Sequence, residues 1–332
     1  MPISSLNRRR LLPTRRRALL AALALPTLAR AQAAWPERPV RVIIPYGAAG
    51  AGDSAARMTA AALSRAFNQP FVPENRPGGN TLIGAEAVAK STDGHTLLFC
   101  SSPTMSTAPI LYGARLPYAP ERDFAPVGLV CRTPYFVFVP TNSPAKDLPG
   151  LIALAKQRPG ALTYASIGNG TVGHMTSELL ARTAGFSWTH VPYRAYANIA
   201  PDLIAGRLDA VIADLTTFGP LVQAGQARLL AAATAPRSAF RPDVPGMAEL
   251  GFPGFDGSIW FALFAPAAMP PAVLARVNAA LATWLARPET APTFANNGQQ
   301  PEHASGEAVR QMIRADAARF GPLIRDLNIT AE

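Results

Sequence analysis

The 332-residue chain predicts an α/β protein of two domains joined by two strand crossings. Three observations carry this. From Val40 onward, short β-branched runs alternate with Ala/Leu-rich helical stretches, the pattern of a parallel sheet covered by helices. Midway, a Thr133-Pro134 break separates two strand-like runs, as where a chain passes between domains. Finally, an apolar run from Ile259 to Phe264 precedes two terminal helices that need a surface to cover, which returns the chain to the first domain.

The residues before Val40 read as an export leader. Seven arginines and no acidic residue precede Ala34, and the apolar run from Ala18 to Leu28 falls far short of the roughly 20 residues of a membrane span. Thr14-Arg15-Arg16-Arg17-Ala18-Leu19-Leu20 is close to the twin-arginine pattern, with an alanine where that pattern prefers a bulky apolar residue. Of two A-x-A cleavage sites, the second, Ala31-Gln32-Ala33, leaves a chain beginning Ala34-Trp35-Pro36. The expected location is the periplasm, after cleavage near Ala33 and with no membrane insertion of the mature chain. Losing those seven arginines takes the net charge from +10 to +3. No basic face with interleaved aromatics remains, which argues against a nucleic-acid role. Cys100 and Cys131 would meet an oxidising compartment, and a disulfide or two separate buried thiols are both open.

In chain order, Val40 to Tyr46 reads as a strand, Asp53 to Phe67 as a helix and Phe71 to Glu74 as a strand. Thr81 to Lys90 reads as a helix and Thr96 to Cys100 as a strand. After a proline-rich irregular segment come strands Val127 to Cys131 and Phe136 to Val139. The second series runs helix Leu148 to Gln157, strand Leu162 to Ile167, helix Gly173 to Ala184 and strand Trp188 to Val191. It continues with helix Asn198 to Ala205, strand Asp209 to Ala213, helix Thr217 to Ala224 and strand Arg228 to Thr234. Strand Ile259 to Phe264 and helices Pro271 to Arg287 and Glu307 to Leu327 complete the chain. The domain reading is a leader, 1–33; a first domain, 34–133 with 258–332; and a second domain, 134–257.

Two strand-to-helix loops carry the functional signal. In the first, Tyr46, Gly47, Ala48, Ala49, Gly50, Gly52 and Asp53 form a small-residue turn, with Asp53 expected as the helix cap. Small residues let a ligand approach the backbone, and free N–H groups at a helix start favour a carboxylate or phosphate. A plain βα turn is the competing reading. In the second, Ser166, Gly168, Asn169, Gly170, Thr171 and His174 repeat this character, so two loops from two domains would close on one anion. His174 reads as ordering that loop. The junction holding Tyr193, Arg194 and Tyr196 adds hydroxyls and one cation, Arg194 being either a carboxylate partner or a solvated surface residue. Asp214 reads as a helix cap or a ligand contact.

A different class of function shares the first loop. Gly50-x-Gly52-x-x-Ala55 opens a helix after a strand, with Glu74 at the end of the next strand, as in a dinucleotide fingerprint of an exported oxidoreductase. Asp53 beside the second glycine and the length of the loop weaken it. The four histidines show no metal or protease spacing, no G-x-S-x-G elbow exists, and two lone cysteines make no zinc set, so neither catalysis nor a cofactor or metal is expected.

Taken in order, these segments resemble the Bug-type extracytoplasmic receptors associated with tripartite tricarboxylate transporters. The resemblance spans the mature chain. It rests on Trp35-Pro36-x-Arg38-Pro39-Val40, Pro45-Tyr46 with Asp53, Glu74-Asn75-Arg76-Pro77-Gly78-Gly79 and Ile83-Gly84-Ala85-Glu86. Further along are Leu116-Pro117-Tyr118, Asp123-Phe124-x-Pro126-Val127, Ala165-Ser166-x-Gly168-Asn169-Gly170, His190-Val191-Pro192-Tyr193, Pro242-Asp243-Val244-Pro245 and Phe264-Ala265-Pro266. The resemblance implies a type II periplasmic binding-protein fold with hinged crossings. It implies a monomer that closes on a small carboxylate, whether amino acid, di- or tricarboxylate or aromatic acid, and passes it to membrane permease subunits or a sensor. It carries ligand binding onto Tyr46 to Gly52 and Ser166 to Thr171, with Ser101 and Ser102. Gly47 and Ala49 depart from the family's Gly-Gly loop, Arg194-Ala195-Tyr196 from its usual Lys-Gly and small residue, and Ile212-Ala213-Asp214 from its usual Phe-Asp-Asn.

Overall fold

The computed structural model describes Met1 and residues 35–48 and 50–331. The leader, its cleavage point and Ala49 lie outside the described residues. The chain forms two units, Met1–Glu37, with a cis peptide before Pro36, and Arg38–Glu332, which holds all of the sheets and helices below.

Eleven strands are described: β1 (Val40–Ile44), β2 (Phe71–Asn75), β3 (Thr96–Ser101), β4 (Phe124–Thr133), β5 (Tyr135–Pro140), β6 (Thr163–Ser166), β7 (Thr189–Pro192), β8 (Ala210–Asp214), β9 (Ala227–Ala232), β10 (Ile259–Pro266) and β11 (Gln300–Ser305). The helices are α1 (Ala51–Phe67), α2 (Leu82–Ala89), α3 (Ser102–Ser106), α4 (Ala108–Tyr112), α5 (Pro120–Asp123), α6 (Leu148–Gln157), α7 (Val172–Ala184), α8 (Tyr196–Ile204), α9 (Leu215–Gln223), α10 (Pro271–Leu285), α11 (Thr290–Ala295) and α12 (Gly306–Asp326).

The strands form two sheets, ordered β11-β4-β10-β3-β1-β2 and β7-β6-β8-β5-β9. Each has a parallel part, β2-β1-β3 and β7-β6-β8, as the alternating pattern predicts. Both sheets are mixed, however, because the strands that carry the chain between them pair antiparallel. β10 runs against β3 and β4, and β5 against β8 and β9. β4 and β5 are separated by Pro134 alone, which has no N–H for either ladder and so marks the passage from one sheet to the next. The return passage precedes β10 and is pinned by an isolated antiparallel bridge between Thr234 and Asp256. Arg132, at the end of β4, ties both passages together. Its guanidinium donates to Glu302 at 2.6 Å and reaches Ser258 at 3.3 Å and Asp256 at 3.5 Å.

Each sheet has its own core. Ile43, Leu98, Phe124, Leu129, Trp260 and Phe264 belong to one buried cluster of the first sheet. Val137, Leu148, Tyr164, Leu180 and Ile212 lie on one face of the second, with Phe136, Phe138, Ile199, Val211 and Phe218 on the other. Each such side chain contributes about 1.5–3 kcal/mol on burial, so either lobe has ample apolar surface to hold its own sheet. α1 is an alanine-rich helix that buries Ala55, Ala56, Thr59 and Leu63 and stops at Asn68, whose left-handed backbone ends the hydrogen-bond series.

Cys100 faces Ala262 of β10, and Cys131 faces Phe261 on β10's other side. Two strand spacings put them about 9–10 Å apart, beyond the reach of a disulfide. Both are buried free thiols.

Candidate functional site

A cleft opens where the carboxyl ends of β1, β3, β6 and β8 point toward one another across the two sheets. It consists of two cavities that share Tyr46, Ser101, Tyr135, Ile167, Tyr196 and Ile259 as walls. The wider, about 390 Å³, reaches Gly50, Ala51 and Gly52 on one side and Asp214, Thr216 and Thr217 on the other. The narrower, about 170 Å³, is lined by hydroxyls and amides, including Asn80, Thr81, Thr104 and Thr107 facing Gly170 and Thr171. Among the described residues no helix is long and apolar enough to cross a membrane, and no group of three or more His, Cys, Asp or Glu is placed to hold a metal ion.

The first wall is built on Tyr46. Its hydroxyl donates to Ser101 Oγ at 2.7 Å and accepts the Ser101 amide at 2.6 Å, locking the end of β1 to the end of β3. Gly52 permits this, since a Cβ there would stand 2.9 Å from the Tyr46 ring and 3.0 Å from Phe261. The expected cap is corrected: α1 begins at Ala51, with Gly50 before it and no side chain capping the end. The first intrahelical bond, Ser54 N–H to Gly50 O, leaves the amides of Ala51 and Gly52 ahead of it at the cleft wall. Asp53 sits in the first turn instead, buried, accepting from Arg57 Nε at 2.9 Å and Asn75 Nδ2 at 2.7 Å.

The second wall is the start of α7, which also lacks a side-chain cap. The loop before it satisfies most of its own amides. Gly168 N–H donates to Ser166 Oγ at 3.2 Å, and Gly170 N–H to His174 Nδ1 at 3.2 Å. The donors left for the cleft therefore belong to the first turn of α7, ahead of the bond from Met175 N–H to Thr171 O. Gly170, at φ +74°, brings the loop so close to α4 that a Cβ would lie 2.0 Å from Leu111, and Thr107 Oγ1 donates to its carbonyl at 3.4 Å.

Burial pushes the phenols of Tyr46, Tyr135 and Tyr196 up, and Asp214 adds to this for Tyr135 and Tyr196, so all three remain neutral hydrogen-bonding groups. Asp214 caps α9, accepting from the Thr217 amide at 2.9 Å and from its hydroxyl at 3.1 Å.

Of the residues singled out in sequence, Tyr46, Gly50, Gly52, Ser101, Gly170, Thr171, Tyr196 and Asp214 line the cleft. Gly47 and Ala48 are exposed outside its lining, and Asp53 and Ser102 are buried behind it. Ser166 bonds His190 Nε2 at 2.7 Å. Asn169 and His174 face a separate flank cavity of about 630 Å³, and the Asn169 amide donates to Thr330 O. Tyr193 donates to Asp202 at 2.6 Å, while Arg194 is exposed and outside the cleft lining.

Sequence reasoning passed over Thr81, Thr104, Thr107, Tyr135 and Phe261. Thr81 carried a readable signal. It follows Gly78-Gly79-Asn80, and both Asn80 and Thr81 adopt left-handed backbone, at φ +52° and +77°. A β-branched residue there is strained, and its hydroxyl meets Thr104 Oγ1 at 2.9 Å on the cleft wall, a contact that helps to offset the strain.

The features of the dinucleotide reading are otherwise engaged. The space that Gly52 leaves is filled by Tyr46 and Phe261, and Glu74 is held by Arg41 at 2.9 Å and Arg76 at 2.6 Å.

Residues 55–329 match the family described as "Tripartite tricarboxylate transporter family receptor". The chain belongs to this family. It is 34% identical to the "UPF0065 protein in tcbD-tcbE intergenic region" of Pseudomonas sp. (strain P51), over 95% of this chain and 96% of that one. It is 32% identical to "Protein BugT" of Bordetella pertussis (strain Tohama I), over 88% and 90%. Among solved structures it is similar to "R. palustris Rpa4515 with adipate", at 32% identity and TM-score 0.77, covering 89% of this chain and 99% of that one. The receptor is thus of the Bug type, with two α/β domains and a cleft between them.

Proposed function

We propose that this receptor is exported to the periplasm and closes on a small carboxylated solute, which it presents to the membrane permease subunits of a tripartite transporter. One observation carries this reading: the uncapped starts of α1 and α7, from opposite sheets, border the same cleft. Each supplies main-chain donors and the positive end of a helix dipole, α1 to the wide cavity and α7 to the narrow one, so a carboxylated solute that spans the cleft meets both. No bond need form or break. The adipate on a relative of 32% identity supports the same ligand chemistry.

The working parts follow from this placement. The first lobe comprises residues 34–133 with 258–332 and supplies Tyr46, Gly50, Gly52 and Ser101. The second, residues 134–257, supplies Gly170, Thr171, Tyr196 and Asp214. The passages at Pro134 and before Ile259 act as the hinge, and the receptor works as a monomer. Gly47, Ala48, Asp53, Ser102, Ser166, Gly168, Asn169, His174, Tyr193 and Arg194 shape or support the loops around the solute.

The test is the thermal stability of the exported protein with mono-, di- and tricarboxylates and amino acids. A bound solute at 100 times its Kd adds about 2.7 kcal/mol. A saturable upward shift with at least one of them is expected. No shift from any carboxylate, with a saturable shift from NAD or NADP, would replace this reading with the oxidoreductase one.

A further inference from the structure

The flank cavity, about 630 Å³, is larger than either half of the cleft and lies outside it. Its volume falls in the range of small-molecule sites. The second sheet gives it the stacked rings of His174 and His190, and the chain at and after the end of α12 closes it from the other side. Apolar walls come from Phe186, Trp188, Leu323, Leu327 and Ile329, with Leu327 left 49% exposed.

The hydrogen bonds behind the histidine pair fix what it offers. His174 Nδ1 accepts the Gly170 amide, so the ring proton sits on Nε2, which has no partner in the protein. Ser166 Oγ donates its one proton to Gly168 O at 3.1 Å and accepts the Gly168 amide at 3.2 Å. His190 Nε2, 2.7 Å from the same oxygen, is therefore the donor to it, which leaves His190 Nδ1 a bare lone pair. Glu178 stands one turn after His174 on α7, accepts the Tyr164 hydroxyl with Oε1 and keeps Oε2 free. The cavity thus presents one N–H donor and two acceptors on neighbouring side chains, each side chain held by another bond before any ligand arrives.

Few functional groups match that set. A ketone serves only the donor, an ammonium only the acceptors, and a carboxylate would meet two lone pairs. A primary carboxamide serves all three, its oxygen taking His174 Nε2–H and its two N–H bonds facing His190 Nδ1 and Glu178 Oε2. We propose that the flank cavity is a second binding site, for a small molecule that carries a primary carboxamide on an apolar body. The body packs on Phe186, Trp188 and Leu327. The site stands apart from the carboxylate cleft and does not depend on the receptor reading.

Calorimetric titration of the exported protein with benzamide and hexanamide, each beside the ketone of the same shape, acetophenone and heptan-2-one, tests this. At least one amide is expected to bind saturably and about tenfold or more tighter than its ketone, which leaves both acceptors unpaired. In NMR spectra of protein with isotope-labelled histidines, that amide should move the ring signals of His174 and His190 and leave those of His95 and His303 in place. Glu178→Gln keeps an acceptor for Tyr164 but turns an N–H group toward the cavity in place of Oε2, so amide affinity should fall about tenfold. Any one of four results overturns the proposal: no saturable binding by either amide, a ketone that binds as tightly, ring signals of His174 and His190 unmoved by a bound amide, or an affinity unchanged in Glu178→Gln. None of them touches the receptor reading, which the carboxylate panel decides.

Discussion

The Gly170 amide donates to His174 Nδ1 at 3.2 Å, and the His174 ring stacks on His190 with centroids 3.9 Å apart. The bond requires an unprotonated Nδ1. Burial lowers His174 to about 3, with His190 beside it adding to the effect, and burial lowers His190 to about 4. The unfolded chain takes up these two protons near pH 6.5, the folded chain only below 4. Between those limits the unfolded state binds more protons, so stability falls as the pH falls. Urea unfolding should show a loss of about 2–3 kcal/mol between pH 7 and pH 5. His174→Asn, which offers an amide oxygen in place of Nδ1, should remove roughly half of that dependence. Equal stability at the two pH values would show that the stacked pair is not held neutral.

Tyr46→Phe removes the acceptor of the Ser101 amide at the edge of the cleft. Leaving that donor unsatisfied should cost about 1–3 kcal/mol in urea unfolding. It should also weaken carboxylate binding, because Ser101 loses its anchor. Unchanged stability and affinity would mean that water replaces the phenol without loss.

Gly52→Ala forces a methyl group against the Tyr46 and Phe261 rings. Overpacking of this kind costs about 1–3 kcal/mol. The ring that yields is a wall of the site, so the affinity of any bound carboxylate should fall about tenfold or more while circular dichroism stays native. Native affinity in this variant would place the α1 start away from the solute.

Cys100 and Cys131 should be inert while folded. Both are fully buried, and burial pushes both thiols up. Alkylation of the exported protein should add nothing under native conditions and two labels in denaturant without reductant. One or no label in denaturant would reveal a bridge and contradict their separation by β10.

The sequence displays the alternation of elements, the Thr133-Pro134 passage and the return through Ile259, because apolar period and proline chemistry are local signals. β11 was illegible: Gln300-Pro301-Glu302-His303-Ala304-Ser305 is an exposed, polar edge strand, visible only through its pairing with β4. The two small-residue loops could be picked out, but their internal bonding could not. Nothing in Gly168-Asn169-Gly170 announces that His174 takes one amide and Ser166 another, or that Asn169 turns away toward Thr330. The hydroxyls of Thr81 and Thr104 meet across 23 residues, a distance no periodic pattern spans.

Leu111 occupies the volume that any side chain at position 170 would need. Leu111 also lines the narrow end of the cleft, so this contact seats the loop of the second sheet against α4 at that corner. Gly170→Ala would force the loop and α4 apart there, reshaping the end of the cleft that the two build together.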